Sequence, residues 1–503
     1  MDMLLTVVAD AFTPVHLGVM LAGVVIGLII GAMPGLSSNL GIALVLPLTF
    51  GMDPISALIM LVSLYTAAIY GGSFSAILLH TPGTSASAAT AIDGFALTRK
   101  GEFNKAIRIS TFASVFGGLL SAVALIAIAP PLSLLSLKFG PAEYFWLAVF
   151  GISVIGTLAS GNMIKGLLSG AVGVAISTVG LDLDSGYPRF AFGIYDLQGG
   201  IGFVPAVIGL FSLSQALLMC ERPHNTIQEA EQTTGGKWRL LPTWAEFRFI
   251  QPTLWRSSII GIIIGILPGA GGDIGSWTAY NEAKRFAKND PDFGKGSIRG
   301  VAASESANNA TTGGAIIPLL TLGIPGSPSA AILLGALVLH GMQPGRTLFT
   351  EHAHFTYTVC VGFLIANIVM GFVGMAMCRY MGVVARLPNT ILIISVIVLS
   401  IVGSYSLGNN IYDVYTMMAF GILGYLMRKT GFSAAPMVLG MILGPLAEQG
   451  FRQAVQLADG PVLLHMLANP ISWVLVSLIV LSIGSAAYLE LTRSKLTGVM
   501  AEK

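Results

Sequence analysis

Two Pro-Gly patterns each occur twice in this chain, and every copy interrupts an apolar segment. The first pattern occupies residues 31–39 and returns at 265–273. The second, in which Pro-Gly is followed by small hydroxyl residues, occupies 81–87 and returns at 324–329. Because Pro removes a helical donor and Gly relaxes the backbone, each copy predicts a broken helix. The chain therefore has to fold as two related halves with matched breaks.

The composition places these segments in a lipid bilayer. Of the 503 residues, 54% are hydrophobic and only 10% are charged, against about 25% charged in soluble domains. The mean hydropathy is +0.80. A formal net charge of +2 gives no reason to expect a nucleic-acid partner. The three cysteines are widely spaced and predict neither a disulfide framework nor a metal site.

Several segments have the roughly 20 apolar residues that a spanning helix needs. The clear candidates are 110–130, 141–160, 163–180, 199–219, 355–378, 388–405, 411–427, 434–447 and 471–490. Further apolar segments, some with Pro-Gly breaks, lie at 17–50, 56–70, 72–94, 257–281, 300–320 and 313–337. The N-terminal segment lacks the positive region of a signal peptide, so we expect it to be retained.

Five ordered matches register the two halves against each other. The separations are 234 positions for Pro34 and Pro268, 243 for Pro82 and Pro325, 247 for Pro141 and Pro388, 247 for Gly161 and Gly408, and 231 for Pro205 and Pro436. An ordered, drifting separation indicates one duplicated unit with loop insertions.

The placement of Lys and Arg indicates that the halves have opposite orientations, because short loops rich in these residues stay in the cytoplasm. Residues 99–108 carry four cations, whereas their counterpart 341–354 carries only Arg346. Residues 281–299 carry five, whereas their counterpart 51–54 carries none. We therefore predict a periplasmic N-terminus, a cytoplasmic C-terminus and inverted repeats.

The predicted fold class is an all-α polytopic membrane protein with two inverted-topology repeats and an extra C-terminal transmembrane helix. Re-entrant hairpins broken at Pro-Gly are expected at 17–50, 72–94, 257–281 and 313–337, with broken spanning helices as the alternative. The expected domains are 1–220 (repeat 1), 221–256 (cytoplasmic linker), 257–447 (repeat 2) and 448–503 (periplasmic loop, final helix and cytoplasmic tail).

The breaks are the predicted substrate site. A half-helix that starts after a break presents unpaired N–H groups and a positive dipole end, which together bind anions without a basic side chain. Small polar side chains follow each break and can hydrogen-bond a carboxylate. The predicted substrate-binding residues are Pro34, Gly35, Ser37, Ser38, Asn39, Pro82, Gly83, Thr84, Ser85, Pro325, Gly326 and Ser327. The alternative is that Pro-Gly only kinks the helices.

A coupling cation, Na⁺ or H⁺, is predicted where the two halves differ. Asp273 stands where the first half has Asn39, and charge inside a membrane is a functional candidate by default. Amide and hydroxyl oxygens cluster nearby, so the predicted coupling-ion residues are Asp273, Asn308, Asn309, Thr311 and Thr312. Capping roles for Asp273 and for the Asn pair are the alternatives. Glu305 and Asp93 are the other acidic candidates within apolar sequence.

No enzyme motif stands beside these residues. The sequence contains neither H-E-x-x-H nor G-x-S-x-G, and its seven histidines are scattered. An acid pair of Asp273 and Glu305 would leave the duplicated breaks unexplained. We therefore expect a protein that is not an enzyme, with no catalytic residue and no cofactor beyond the coupling ion.

Three long segments carry a family resemblance: GAMPGLSSNLGIALVLPLTF, YGGSFSAILLHTPGTSASAATAIDG and SESANNATTGGAIIPLLTLGIPGSPSAAILLGAL. They resemble the large membrane subunit of the tripartite tricarboxylate transporter family, and the resemblance covers nearly the whole chain. It implies secondary uptake of citrate or a related carboxylate across the bacterial inner membrane. It also implies two partners, a small four-helix membrane subunit and a periplasmic solute-binding protein. Dicarboxylates or aromatic acids are alternative substrates, and an uncoupled channel is an alternative function.

Overall fold

The computed structural model describes residues 2–135, 138–158, 163–182, 184–221, 239–287, 290–384 and 388–484. The helices of the first half are α1 (Asp2–Ala11), α2 (Pro14–Ala32), α3 (Ser38–Val45), α4 (Pro54–Leu79), α5 (Ala88–Arg99), α6 (Phe103–Leu135), α7 (Pro141–Leu158), α8 (Met163–Ser177), α9 (Phe203–Val207) and α10 (Ser214–Glu221). Short 3₁₀ segments (Leu46–Thr49, Ser85–Ser87, Asp196–Gly199), a π-helical turn (Ile208–Leu213) and one antiparallel pair, β1 (Gly180–Leu181) with β2 (Pro188–Arg189), complete this half.

The second half is also helical. Its helices are α11 (Trp244–Ile266), α12 (Gly271–Phe286), α13 (Ile298–Leu322), α14 (Pro328–Leu339), α15 (Arg346–Thr350), α16 (Ala353–Val384), α17 (Asn389–Gly408), α18 (Ile411–Lys429), α19 (Ala434–Gln456), α20 (Val462–Met466) and α21 (Pro470–Gly484).

Seven helices of the described residues are long and apolar enough to cross a membrane. They are Pro14–Ala32, Pro54–Leu79, Phe103–Leu134, Phe203–Glu221, Trp244–Ile266, Ala353–Met381 and Thr390–Gly408. The all-α polytopic fold class is therefore confirmed. The sidedness of the loops stays a prediction.

The helices break at the Pro-Gly positions in both halves. Helices α2, α4, α11 and α13 run for 19 to 26 residues before a break, and α3, α12 and α14 resume within a few residues after it. Gly35 and its counterpart Gly269 both have a positive φ, 86° and 76°. This left-handed backbone is the reason that the sequence repeats Gly there.

One predicted boundary is wrong. The apolar segments 56–70 and 72–94 were separated at Gly71-Gly72, but α4 continues through both glycines and ends at Leu79. The glycines serve close packing instead, because a Cβ on Gly71 would lie 2.8 Å from the carbonyl oxygen of Leu28. The overlapping segments 300–320 and 313–337 are likewise resolved into α13 and α14, separated at Gly323.

Glycine contacts confirm the register of the two halves. A Cβ on Gly31 would lie 2.2 Å from the Ala68 carbonyl oxygen. At the positions shifted by 234 and 243, a Cβ on Gly265 would lie 2.6 Å from the Thr311 carbonyl oxygen. Helix α2 thus crosses α4 as α11 crosses α13.

The later elements repeat the same relation. A Cβ on Gly209 would lie 2.3 Å from the Met417 carbonyl oxygen, and a Cβ on Gly440 would lie 2.2 Å from the Gly170 carbonyl oxygen. These positions are related by the shifts of 231 and 247, so the duplication extends through both halves. The matched residues Gly161 and Asn162 themselves lie outside the described residues.

Two compact units draw on both halves. Unit 1 comprises Met1–Ser133 with Gln215–Gly403, and unit 2 comprises Leu134–Ser214 with Ser404–Lys503. The expected linker 221–256 overlaps α11, which already begins at Trp244 because Thr243 and Glu246 form a capping box. Residues 222–238 of that linker, and residues 485–503 of the expected final helix and tail, lie outside the described residues.

Unit 2 places two arginines among acidic side chains. Arg452 contacts Asp182 and Asp184, each at 2.5 Å, and Arg189 contacts Glu448 at 2.7 Å. The Ser185 backbone N–H and the Arg452 guanidinium hold the pKa of Asp182 well below its usual range. The acidic partners thus neutralise both arginines locally.

Candidate functional site

Four tips, one at each break, define the site. Tip 1 comprises residues 33–39, tip 2 residues 80–87, tip 3 residues 267–273 and tip 4 residues 323–329. All four belong to unit 1. Tips 1 and 3 are counterparts under the repeat, as are tips 2 and 4.

Tip 1 meets tip 4. The hydroxyl oxygens of Ser38 and Ser329 lie 2.8 Å apart, and the Ser329 hydroxyl donates to Asn39 Oδ1 at 2.5 Å. Ser37 accepts from the Leu40 backbone N–H at the start of α3. The hydroxyl of Ser327 likewise caps α14. The helix ends at these two tips are therefore closed by their own side chains.

Tip 2 meets tip 3 in the corresponding way. The Ser85 hydroxyl lies 2.9 Å and 2.8 Å from the two carboxylate oxygens of Asp273. Here, however, the N-terminus of α12 has no side-chain cap at Ala270, and α5 has none at Ser87. The first N–H groups of α12 are thus open to a ligand, whereas the N–H of Ala88 at the start of α5 donates to the Ser85 carbonyl of the preceding 3₁₀ turn.

The two pairs of tips lie side by side. A Cβ on Gly271 of tip 3 would lie 3.7 Å from Ser327 Cβ of tip 4. A Cβ on Gly272 would lie 3.1 Å from Ala86 Cβ of tip 2 and 2.6 Å from Asn308 Oδ1. All four breaks therefore converge on one region, beside the middle of α13.

Pro-Gly is required by this convergence. A Cβ on Gly83 would lie 2.0 Å from the Gly31 carbonyl oxygen, and one on Gly326 would lie 2.0 Å from the Gly265 carbonyl oxygen. Each second-pattern glycine thus packs its tip directly against the backbone of the long helix that precedes the first-pattern break, α2 for tip 2 and α11 for tip 4. Pro82 and Pro325 directly precede these two glycines, and Pro34 directly precedes Gly35, whose backbone is left-handed. The backbone residues of the predicted set shape the tips.

A buried amide next to the tips lacks hydrogen-bond partners. Asn308 is fully buried, and neither its Oδ1 nor its Nδ2 has a partner among the described residues. The hydroxyl of the buried residue Thr84, at tip 2, also has none among the described residues. In the other half the counterpart of Asn308 is Tyr65, and the counterpart of Thr84 is Ser327. The hydroxyl groups of Tyr65 and Ser327 form a hydrogen bond of 2.8 Å.

The duplicated fold thus closes one junction with a tyrosine and leaves the other junction open. Asn308 is shorter than tyrosine and does not reach Thr84. Buried polar atoms are normally paired, so this group of unmet oxygens points to a ligand. Thr311 lies beside it, with its Oγ1 3.3 Å from a Cβ on Gly272.

The structure divides the predicted coupling-ion residues into separate groups. Asn308 and Thr311 face tip 3, whereas the Asn309 Nδ2 donates to Thr66 Oγ1 at 3.1 Å on α4. Thr312 donates to the Asn309 carbonyl of its own helix at 2.6 Å. Asn309 and Thr312 are therefore placed away from Asp273.

Solvent reaches only part of the predicted set. Asp273, Ser85 and Gly35 are exposed, and Ser37 and Asn39 are partly exposed. The remaining polar residues, Ser38, Thr84, Ser327, Asn308, Asn309, Thr311 and Thr312, are buried. The predicted site therefore combines exposed residues with a buried set of polar side chains.

Sequence reasoning missed two participants. Tyr65 holds tip 4, and Gln215 donates to the Gly35 carbonyl at 2.6 Å. Ser329, one of the small hydroxyl residues that follow Pro325-Gly326, bridges tips 1 and 4. Tyr65 had a usable signal, because the repeat register pairs it with Asn308. Within the described residues, no three His, Cys, Asp or Glu side chains group as a metal site.

Duplicated broken helices whose tips converge inside a helical bundle define a class, the multi-pass membrane transporters built from repeats. Comparison with known proteins gives the family. Residues 17–439 match the model of the tripartite tricarboxylate transporter TctA family, and the chain belongs to that family. Families of this kind work within tripartite systems, so other subunits accompany this chain.

Two proteins of Agrobacterium vitis are similar to the chain. An uncharacterized 52.8 kDa protein in the TAR-I ttuC′ 3′ region is 37% identical over 465 residues, covering 92% of this chain and 91% of that protein. An uncharacterized protein in the TAR-II ttuC′ 3′ region is 35% identical over 212 residues, covering 42% of this chain and 87% of that protein. No solved structure matches.

Proposed function

We propose that this chain is the large permease subunit of a binding-protein-dependent system that takes up citrate or a related tricarboxylate. An inward gradient of Na⁺ or H⁺ drives the uptake. The permease works in the bacterial inner membrane with a small four-helix membrane subunit and a periplasmic solute-binding protein. Its N-terminus lies in the periplasm and its C-terminus in the cytoplasm.

The open helix end at tip 3 supports carboxylate binding. The first backbone N–H groups of α12 can donate to a substrate carboxylate beside the exposed part of the tips. Ser37 and Asn39 of tip 1 are partly exposed and offer further polar groups to a substrate. A multiply charged acid can therefore be held by dipoles rather than by basic side chains.

The open Asn308–Thr84 junction is the observation that carries the proposal of ion coupling. Asn308 Oδ1, Thr84 Oγ1 and Thr311 Oγ1 are oxygen donors in a buried setting, which suits a hard monovalent cation. Asp273 supplies negative charge at the neighbouring tip. A cation there compensates the charge of a carboxylate substrate bound at the adjacent helix end.

Reconstitution tests the proposal. Liposomes containing this chain and the small subunit accumulate labelled citrate only when the binding protein and an inward Na⁺ or H⁺ gradient are both present. Accumulation of a dicarboxylate or an aromatic acid instead assigns the alternative substrate class. Flux that persists without a gradient and only equilibrates indicates a channel, and chemical conversion of the substrate indicates an enzyme. Either of these last two results contradicts the proposal.

Two variants test the site. Asp273→Asn removes gradient-driven uptake while leaving the protein folded, and Asn308→Ala raises the cation concentration needed for half-maximal uptake. The exposed Asp459→Asn is the matched control and retains wild-type uptake. Unchanged uptake with unchanged ion dependence in both site variants would remove these residues from the coupling site.

A further inference from the structure

A second polar site lies deeper in the bundle, around Glu305 of α13. Glu305 is fully buried. Its Oε2 accepts from Ser73 of α4 at 2.5 Å and from Ser114 of α6 at 2.9 Å. Its Oε1 accepts from Thr90 of α5. Three helices thus contribute one hydroxyl each to a single carboxyl group.

No cationic side chain balances this carboxyl group. Among the described residues, Glu305 forms no ion pair with Lys, Arg or His. Burying a carboxylate without a counter-charge is strongly unfavourable, because the group loses its hydration. Three hydroxyl hydrogen bonds offset only part of that cost. A cation therefore has to accompany Glu305, and the smallest one is a proton.

The hydrogen bonds accommodate a proton without rearrangement. A proton on Oε1 can be donated to Thr90 Oγ1, whose own hydrogen then passes to Ser304 Oγ at 2.8 Å. Ser304 in turn donates to the Gly300 carbonyl at 3.1 Å. Ser73 and Ser114 continue to donate to Oε2. Every hydroxyl group thus still has an acceptor, and the last acceptor in the series is the backbone carbonyl of Gly300.

The duplication shows that packing does not require a carboxyl group here. The repeat register pairs Glu305 with Val62, Ser73 with Ile316 and Thr90 with Leu333. Val62, Ile316 and Leu333 together line an apolar cavity in the other half. The same fold is therefore built once with apolar side chains and once with an acid and hydroxyls.

The neighbouring titratable groups are engaged elsewhere. On the elements around Glu305, the acidic groups have other donors: Asp93 accepts from the backbone N–H groups of Gly296 and Ser297, and Asp273 accepts from Ser85. The arginines also have other partners, since Arg108 pairs with Glu246 and Arg299 stacks on Phe249. The Tyr70 hydroxyl hydrogen-bonds to Thr111. None of these contacts involves Glu305, so none of these groups balances its charge.

We propose that Glu305 is a proton-binding site and that its occupancy is linked to tip 2 through the hairpin formed by α4 and α5. Ser73 and Thr90 lie on the two arms of that hairpin, which carries tip 2. Binding a proton neutralises the carboxylate and reverses the donor direction at Thr90. The link to substrate movement rests on the proposed transport function, whereas proton binding does not.

Carbodiimide labelling tests proton binding in the intact protein. Dicyclohexylcarbodiimide reacts with protonated carboxyl groups that are shielded from water, and mass spectrometry locates the adduct. We expect an adduct on Glu305 of the wild-type chain that declines as pH rises, is lost in Glu305→Gln and is kept in the exposed control Glu351→Gln. Absence of the adduct at every pH, or its loss on adding Na⁺ at constant pH, would overturn the assignment.

A transport assay in liposomes tests the link between proton binding and uptake. In liposomes, Glu305→Gln lowers the ratio of gradient-driven accumulation to citrate counterflow by about tenfold or more, the size of a typical coupling energy. An unchanged ratio would refute the role in coupling even if labelling succeeds. If wild-type protein moves no carboxylate at all, the proposed function fails while the labelling result for Glu305 still stands.

Discussion

Adding one methyl group at the second-pattern glycines should destabilise the protein. In Gly83→Ala the new Cβ would lie 2.0 Å from the Gly31 carbonyl oxygen, 2.7 Å from Ser75 Oγ and 2.9 Å from Gly72 Cα. A carbon and a carbonyl oxygen normally approach no closer than about 3.3 Å, so the overlap exceeds an ångström. The Ser75 hydroxyl can rotate away, but the two backbone groups cannot.

The size of the effect follows from overpacking, which costs about 1–3 kcal/mol and sometimes more. We expect a cost at the upper end of this range, because the new Cβ meets the backbones of two long helices, α2 at Gly31 and α4 at Gly72. Gly326→Ala should behave alike, since its Cβ would lie 2.0 Å from the Gly265 carbonyl oxygen. Gly18→Ala is the control, because its Cβ meets nothing within 4 Å inside α2. Alanine is favoured over glycine there by up to about 1 kcal/mol.

The assay is the melting temperature of the detergent-solubilised protein, read by size-exclusion chromatography after heating. Gly83→Ala and Gly326→Ala should melt several degrees below wild type, and Gly18→Ala at or above it. Melting temperatures for Gly83→Ala and Gly326→Ala equal to that of Gly18→Ala would refute the proposed seating of the tips.

Two further outcomes follow from charge placement. A cysteine at Arg285, in the exposed end of α12, should not react with an impermeant thiol reagent added from the periplasm; reaction would contradict the re-entrant reading of 257–281. Asp182→Asn should lower the melting temperature at pH 7. Because the pKa of folded Asp182 is depressed, its contribution is present above the unfolded value of about 3.9 and lost as pH falls below it. The wild-type advantage should therefore shrink below about pH 4, and an advantage independent of pH would refute the ion-pair account.

The sequence predicted the breaks because Pro-Gly acts locally, through a missing donor and a permissive backbone. It also predicted the register, which the glycine contacts of α2 with α4 and of α11 with α13 confirm. It misread Gly71-Gly72 because the same residue types permit either a break or a close crossing. The start of α11 had a readable signal in the capping box of Thr243 and Glu246.

The pairing of the tips could not be read from the sequence. Which tip meets which depends on tertiary crossings between residues some 190 to 290 positions apart, such as Ser85 with Asp273 and Ser38 with Ser329. The hydroxyl groups around Glu305 could not be read from the sequence for the same reason, since they come from three different helices. Asn308 and Asn309 are adjacent, identical in type and equally buried, and only the hydrogen bond from Asn309 Nδ2 to Thr66 distinguishes them.

The most direct test of the converging tips joins two of them. With Cys220 replaced, a cysteine pair at Ser38 and Ser329, whose hydroxyl oxygens lie 2.8 Å apart, should form a disulfide on mild oxidation. Uptake of citrate should stop on oxidation and return on reduction. Failure to cross-link, or full uptake by the cross-linked protein, would contradict the proposal that these tips form the transport site.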